Sequence, residues 1–168
     1  AALPYNEAER EALARQLATR PVWLAAHLPE AEEAAVIEAH RACLRLAHRL
    51  LLIVVPQDPA RATALAETVE RDEGWITARR VLEEEPEADV ELFIADAAEM
   101  GLWYRLAPVA LVGGSFASVG GHNPHEPLAL GCAVLHGPHV WNFAESYERL
   151  DAMGLSRPVT DVDTLLEA

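Results

Sequence analysis

Residues 109–142 read VALVGGSFASVGGHNPHEPLALGCAVLHGPHVWN, and the order of signals along this stretch decides the fold. Val109 to Val112 is a short β-branched and aliphatic run that breaks into Gly113-Gly114-Ser115, as a buried parallel strand does where it ends at a ligand crevice. A second pair, Gly120-Gly121, leads into Asn123-Pro124, where Asn can cap a helix and Pro suits its first turn. A helix start of this kind presents free backbone N–H groups that attract anions, and the glycines let a phosphate approach the main chain closely. About one turn later residues 133–135 (AVL) read as a second strand, which stops at Gly137-Pro138. Two strand ends and one helix start thus converge.

Working outward, the same alternation continues in both directions. Upstream, buried strands are predicted at 22–26 (VWLAA), 50–55 (LLLIVV) and 91–95 (ELFIA), with a weak one at 76–78. Helices are predicted from the Asn6/Glu9 capping-box spacing to about Thr19, over 30–46 after Pro29, over 60–72 and over 99–106. Residues 83–89 form an acidic, Pro-containing loop. Downstream, a helix is expected at 143–153, a short strand at 158–159 and a terminal helix start near Asp161. Strict alternation without internal repeats predicts an α/β, Rossmann-like, doubly wound domain with a mostly parallel sheet of about six strands. Its strand-to-helix loops, at 26–30, 56–60, 96–99, 113–123 and 136–143, share one edge, and ligand binding is expected there.

Composition narrows the function. A chain of 168 residues is one domain by size, and a net charge of −14 argues against nucleic-acid or anionic-membrane binding. All 13 basic residues are Arg, which excludes a P-loop lysine or a Schiff-base lysine. Cys43 and Cys132 form no CxxC pair and read as reduced core or near-core residues of a cytosolic protein. Neither a signal peptide nor an apolar run of about 18 residues is present. The chain starts at Ala1 without Met and stops within an apparently helical LLEA, so residues 1–168 are expected to be a single nucleotide-sugar-binding domain cut from a longer two-domain protein.

Neither GxGxxG at a first strand nor GxxxxGK[ST] occurs. Instead, Gly113-Gly114-Ser115, the run Gly120-Gly121-His122-Asn123-Pro124 with Glu126-Pro127, and Gly137-Pro138-His139 with Asn142-Phe143 resemble the C-terminal, donor-binding half of the 3-deoxy-D-manno-octulosonic acid (Kdo) transferases of lipopolysaccharide synthesis. WLAA at 23–26, Glu32-Glu33, the LLLIVVP strand and GLWYRLAPVAL at 101–111 support the resemblance, which runs from about Leu3 to the end. The chain also departs from the family. His27-Leu28-Pro29-Glu30-Ala31 stands where the family has Ser-Thr-His-x-Gly, Pro56-Gln57-Asp58-Pro59-Ala60-Arg61 where it has Pro-Arg-His-Pro-x-Arg, and Asp96-Ala97-Ala98-Glu99-Met100 where it has Asp-Thr-x-Gly-Glu-Leu. The nucleotide end looks intact and the sugar end altered.

The resemblance implies a GT-B glycosyltransferase in which this half holds CMP-Kdo, with no cofactor, and the N-terminal half of the same protein brings the lipid A precursor acceptor and the general base. It implies a Gram-negative enzyme at the cytoplasmic face of the inner membrane, the fragment itself being soluble and unable to turn over alone. Nucleotide and phosphate contacts are expected from Gly114, Ser115, Gly120, Gly121, His122, Asn123 and Glu126, with Pro138, His139, Asn142 and Arg61 as further donor contacts. Blander readings stand beside these. The glycine pairs can serve only tight turns, Glu126 can simply close a capping box with Asn123, and His122, His125, His136 and His139 can cap helices and pack loops, with no metal expected. Glu32 and Glu33 read as a solvated helix face. Two rival functions are a degenerate paralogue that binds a nucleotide without transferring Kdo and a non-catalytic α/β interaction domain.

Overall fold

The computed structural model describes residues 5–113, 133–136 and 156–158. Seven strands form one sheet in the order β3-β4-β2-β1-β5-β6-β7, and every hydrogen-bonded neighbour is parallel. They are β1 (Val22–Leu28), β2 (Leu51–Pro56), β3 (Thr77–Arg79), β4 (Leu92–Ile94), β5 (Val109–Val112), β6 (Ala133–His136) and β7 (Ser156–Pro158). The helices are α1 (Glu7–Leu17), α2 (Glu30–Leu44), α3 (Arg61–Asp72) and α4 (Met100–Leu106). The doubly wound α/β expectation therefore holds, with one strand more than the six expected because both weak segments, near 76 and 158, join the sheet.

The apolar runs are continuous rather than alternating because helices cover both faces. On one face Leu24, Ile53 and Phe93 pack with Leu13 and Leu17 of α1 and with Leu102 and Trp103 of α4. On the other, Trp23, Leu52, Val54 and Ile94 pack with Val36 of α2 and with Leu65 and Val69 of α3. Trp103 is 1% exposed; its indole N–H donates to the Asp96 carbonyl (2.9 Å) and its ring meets Phe93 edge-on. Asn6 caps α1 through Glu9 N–H (3.1 Å), whereas the Glu9 carboxylate turns away from the box to pair with Arg80 (3.2 Å).

Two buried polar groups close the N-terminal ends of the strands. Arg20 donates to the carbonyls of Arg49 (2.7 Å), Glu87 (3.0 Å) and Val90 (2.7 Å), tying the acidic 83–89 loop to the entrances of β1 and β2. His40, 0% exposed on α2, accepts from the Trp23 indole N–H at Nδ1 (3.1 Å) and donates from Nε2 to the Glu91 carbonyl (2.8 Å). Because a carbonyl only accepts, the ring is the neutral Nε2–H tautomer. Desolvation, with a smaller push from Arg20, holds its pKa down at about 4.

Candidate functional site: the carboxyl edge of the sheet

The chain leaves β1 toward β2, β4 and β3 on one side and resumes on the other at β5, so the order reverses between β1 and β5. Ligands of doubly wound sheets sit outside the carboxyl ends of the strands at such a reversal. The backbone there is irregular. Ala25 pairs with Val54 but Leu28 pairs with Pro56, so Ala26 and His27 together face Val55 and form a β-bulge. The bulge resets the alternation: Leu24 and Ala26 belong to the α1/α4 face, Trp23 and Ala25 to the α2/α3 face, and Leu28 joins Trp23 and Ala25 rather than Leu24. His27 is the supernumerary residue. It is half-buried, belongs to neither apolar cluster and has φ 52°, the left-handed region that a side chain enters at a cost.

Gly113, at the end of β5, is what lets the neighbouring strand fit this bulge. Its N–H donates to the Ala26 carbonyl (2.7 Å). A Cβ at this position would meet the His27 carbonyl oxygen well inside van der Waals contact and lie 2.8 Å from both the Ala26 carbonyl oxygen and the His27 carbonyl carbon. Glycine here answers a close approach of two main chains.

Beside the bulge, the first turn of α2 corrects one sequence expectation. Glu32 and Glu33, expected on a solvated face, are 1% and 7% exposed. Both sit at a helix N-terminus, where a carboxylate is favoured, and Glu33 is forked by Arg61 from α3, with Nη2 at 2.8 Å and Nε at 3.2 Å. The exposed Glu30 adds a longer contact to the Arg61 Nη1 at 3.5 Å. The Glu33 carboxylate holds the Arg61 pKa above its ordinary value. Sequence periodicity could not reveal this pair, because it joins the starts of two helices 28 residues apart.

At the end of β2, Gln57 N–H donates to the Leu28 carbonyl (2.8 Å), and the Asp58 carboxylate accepts the Ala60 N–H (3.0 Å) at the threshold of α3. Asp96 does the same after β4, accepting from Ala98 N–H (2.9 Å). Two further arginines lie toward this edge. Arg80 is engaged by Glu99 (3.0 Å) and Glu9, whereas Arg79 donates to the Thr63 hydroxyl (2.9 Å) and makes no ion pair among the described residues. The recess lined by Pro56, Ala62, Ile94, Ala95 and Arg79 has about 40 Å³, room for water but not for a nucleotide.

Of the residues singled out in the sequence, Arg61 lies at this edge, committed to Glu33 and Glu30. Gly114, Ser115, Gly120, Gly121, His122, Asn123, Glu126, Pro138, His139 and Asn142 lie outside the described residues, as does the helix expected at 143–153. The strands that flank the predicted glycine loop, β5 and β6, are adjacent and parallel, with Val109 opposite Ala133. Sequence reasoning missed the left-handed conformation of His27. VWLAAHL offers no cue, since a strand apolar on both faces hides a break in alternation.

No known family profile matches the chain. Individual relatives do. The 3-deoxy-D-manno-octulosonic acid transferase of Haemophilus influenzae is 34% identical over 151 residues, covering 89% of this chain and 35% of the relative. That of Bordetella pertussis is 35% identical over 156 residues, 88% of this chain and 36% of the relative. The chain thus spans about a third of the length of these curated relatives. Among solved structures, the C-terminal CMP-Kdo binding domain of WaaA from Acinetobacter baumannii superposes with a TM-score of 0.87 at 29% identity, over 95% of this chain and 84% of that domain. The sequence likeness and the shared fold together place this chain in the 3-deoxy-D-manno-octulosonic acid transferase family, as the counterpart of its C-terminal domain.

Proposed function

We propose that this chain is the donor-binding domain of a glycosyltransferase that moves Kdo from CMP-Kdo to lipid A precursor at the cytoplasmic face of a Gram-negative inner membrane. The observation that carries the reading is likeness, along nearly the whole chain, to a domain described as binding CMP-Kdo. The phosphate lies against the loop and helix start formed by Gly114, Ser115, Gly120, Gly121, His122 and Asn123, with Glu126 on the ribose and Pro138, His139, Asn142 and Arg61 as further donor contacts. As the acceptor hydroxyl attacks the anomeric carbon with inversion, CMP departs, and the helix start and Ser115 stabilise the charge that develops on its phosphate. The general base belongs to the N-terminal half, so residues 1–168 are one donor domain that binds but does not turn over. Calorimetric titration with CMP, UMP and CMP-Kdo tests this: CMP and CMP-Kdo bind and UMP binds at least tenfold more weakly, whereas failure of both cytidine ligands to bind overturns it.

A second reading, a paralogue that binds the nucleotide but not Kdo, is favoured by one observation. Where the family offers Arg and His after the second strand, Asp58 is turned onto the start of α3 and Arg61 is committed to Glu33 and Glu30. An anionic sugar then meets a carboxylate in place of an available guanidinium. Equal affinities for CMP and CMP-Kdo in the same titration support this reading, and a tenfold preference for CMP-Kdo removes it.

A further inference from the structure

One corner of the molecule carries both signs of charge side by side. At the end of α2, Arg45 and Arg49 flank Leu46, which at 91% is the most exposed large apolar side chain among the described residues. Arg49 donates to the Thr19 hydroxyl (2.9 Å), and neither arginine enters an ion pair among the described residues. Beside them runs the exposed acidic loop with Glu83, Glu85, Glu87 and Asp89, which form no ion pair there either. With Ile76, Thr77 and Val90 this loop borders an open groove of about 510 Å³ along the edge strand β3.

The loop is held at both ends. The Glu84 carboxylate accepts the Arg79 N–H (3.0 Å) while its own N–H donates to the Arg79 carbonyl (3.2 Å), and at the far end Arg20 donates to the carbonyls of Glu87 and Val90. A main chain held this way has little further freedom to lose when a partner arrives. The same Arg20 guanidinium holds the Arg49 carbonyl, so the basic and acidic patches adjoin across it. Whatever covers this corner must therefore present both signs in reverse order. An anionic lipid surface or nucleic acid that met Arg45 and Arg49 would be repelled by the loop beside them, and a basic partner by the arginines. A second copy of the chain, turned about a two-fold axis through the Arg20 boundary, meets the requirement.

We propose that residues 45–49 and the groove bordered by residues 76–90 form a self-complementary interface through which two copies of this chain associate. Arg45, Leu46 and Arg49 of each copy lie on the acidic groove of the other, with Leu46 against Ile76. The inference is independent of the donor-binding reading and goes beyond it.

Sedimentation velocity over a range of chain concentrations tests it. Wild type should shift from the 18.3 kDa chain toward twice that mass as concentration rises. Raising the ionic strength from about 0.05 to about 0.5 M should weaken the association by about tenfold. Arg45→Glu with Arg49→Glu, and separately Glu83→Arg with Glu85→Arg, set like charges face to face, and each pair should weaken it by about tenfold or more. The four changes together exchange the two signs and should restore association to within about threefold of wild type. Leu46→Ser removes the apolar contact and should weaken association by about tenfold at every ionic strength. Its site is too exposed for the change to disturb folding, so this variant decides the matter where a charge-reversed chain melts early. Wild type that stays a monomer at every concentration overturns the inference, as does association that Leu46→Ser leaves unchanged, or a folded four-change variant as weak as either reversal alone. Binding of monomeric wild type to phosphatidylglycerol vesicles, abolished by Arg45→Glu with Arg49→Glu, would assign the surface to a membrane and overturn it as well.

Discussion

At the amino ends of the strands, Arg20 and His40 direct their hydrogen bonds to main-chain carbonyls and one indole. At the carboxyl ends, the chain carries a bulge, a left-handed histidine, a glycine pressed against a neighbouring main chain, and two nearly buried glutamates beside a bidentate arginine. Both ends contain buried polar groups, so burial alone does not separate structure from function. The partners do. Internal carbonyls that would otherwise be orphaned are matched at one end, and conformational strain is held in place at the other. Under the proposed function, variants at the amino end are expected to report on stability and variants at the carboxyl end on binding.

The largest effect is expected at the amino end. Replacing Arg20 with Leu strips three carbonyls of their donor and should destabilise the domain by about 3 to 5 kcal/mol in urea unfolding, leaving CMP affinity unchanged in whatever folded fraction remains. His40 gives the pH dependence. Its folded pKa of about 4 lies below the ordinary value of 6.5, so between those two values the unfolded chain binds a proton that the folded chain does not. Its contribution is therefore full above about pH 6.5 and is lost by about pH 4, some 3 kcal/mol in all. His40→Gln, which keeps a donor and an acceptor without titrating in this range, should flatten that window in urea melts taken at several pH values.

At the carboxyl end, Gly113→Ala forces two main chains apart and should cost about 2 to 3 kcal/mol of stability together with a loss of nucleotide affinity, the combination that distinguishes it from Arg20→Leu. The smallest effect on folding is expected at Glu126. Glu126→Gln should weaken CMP binding by about 1 to 3 kcal/mol with little change in melting temperature. A lower melting temperature with intact CMP affinity would return Glu126 to a capping role.

Much of the architecture was legible because it rests on local or one-dimensional signals. LLIVVP could only be a strand covered on both sides, and Asn6 does cap the helix it was expected to cap. Among the described residues the strand-to-helix loops share the carboxyl edge, as parallel connections require. What was illegible depends on contacts between segments distant in sequence. Glu32 and Glu33 read as solvent-facing because acidic residues in a helix usually are, and neither the pairing with Arg61 nor the cover above them is written in the spacing. Nothing in the local spacing marks His40, because its role depends on Trp23 and on a carbonyl 51 residues away. The glycine loop, which carries most of the family resemblance, lies outside the described residues.

The most direct test is a titration of CMP into the isotopically labelled chain, followed by backbone and indole N–H chemical shifts. The account predicts that the shifted signals cluster at the carboxyl edge, at His27, Glu32, Glu33, Gln57, Arg61 and Gly113, while the Trp23 indole N–H bound to His40 and the amides around Arg20 stay put. Shifts concentrated at the Trp23 indole and the Arg20 loop, or no saturable shift with CMP, would contradict it.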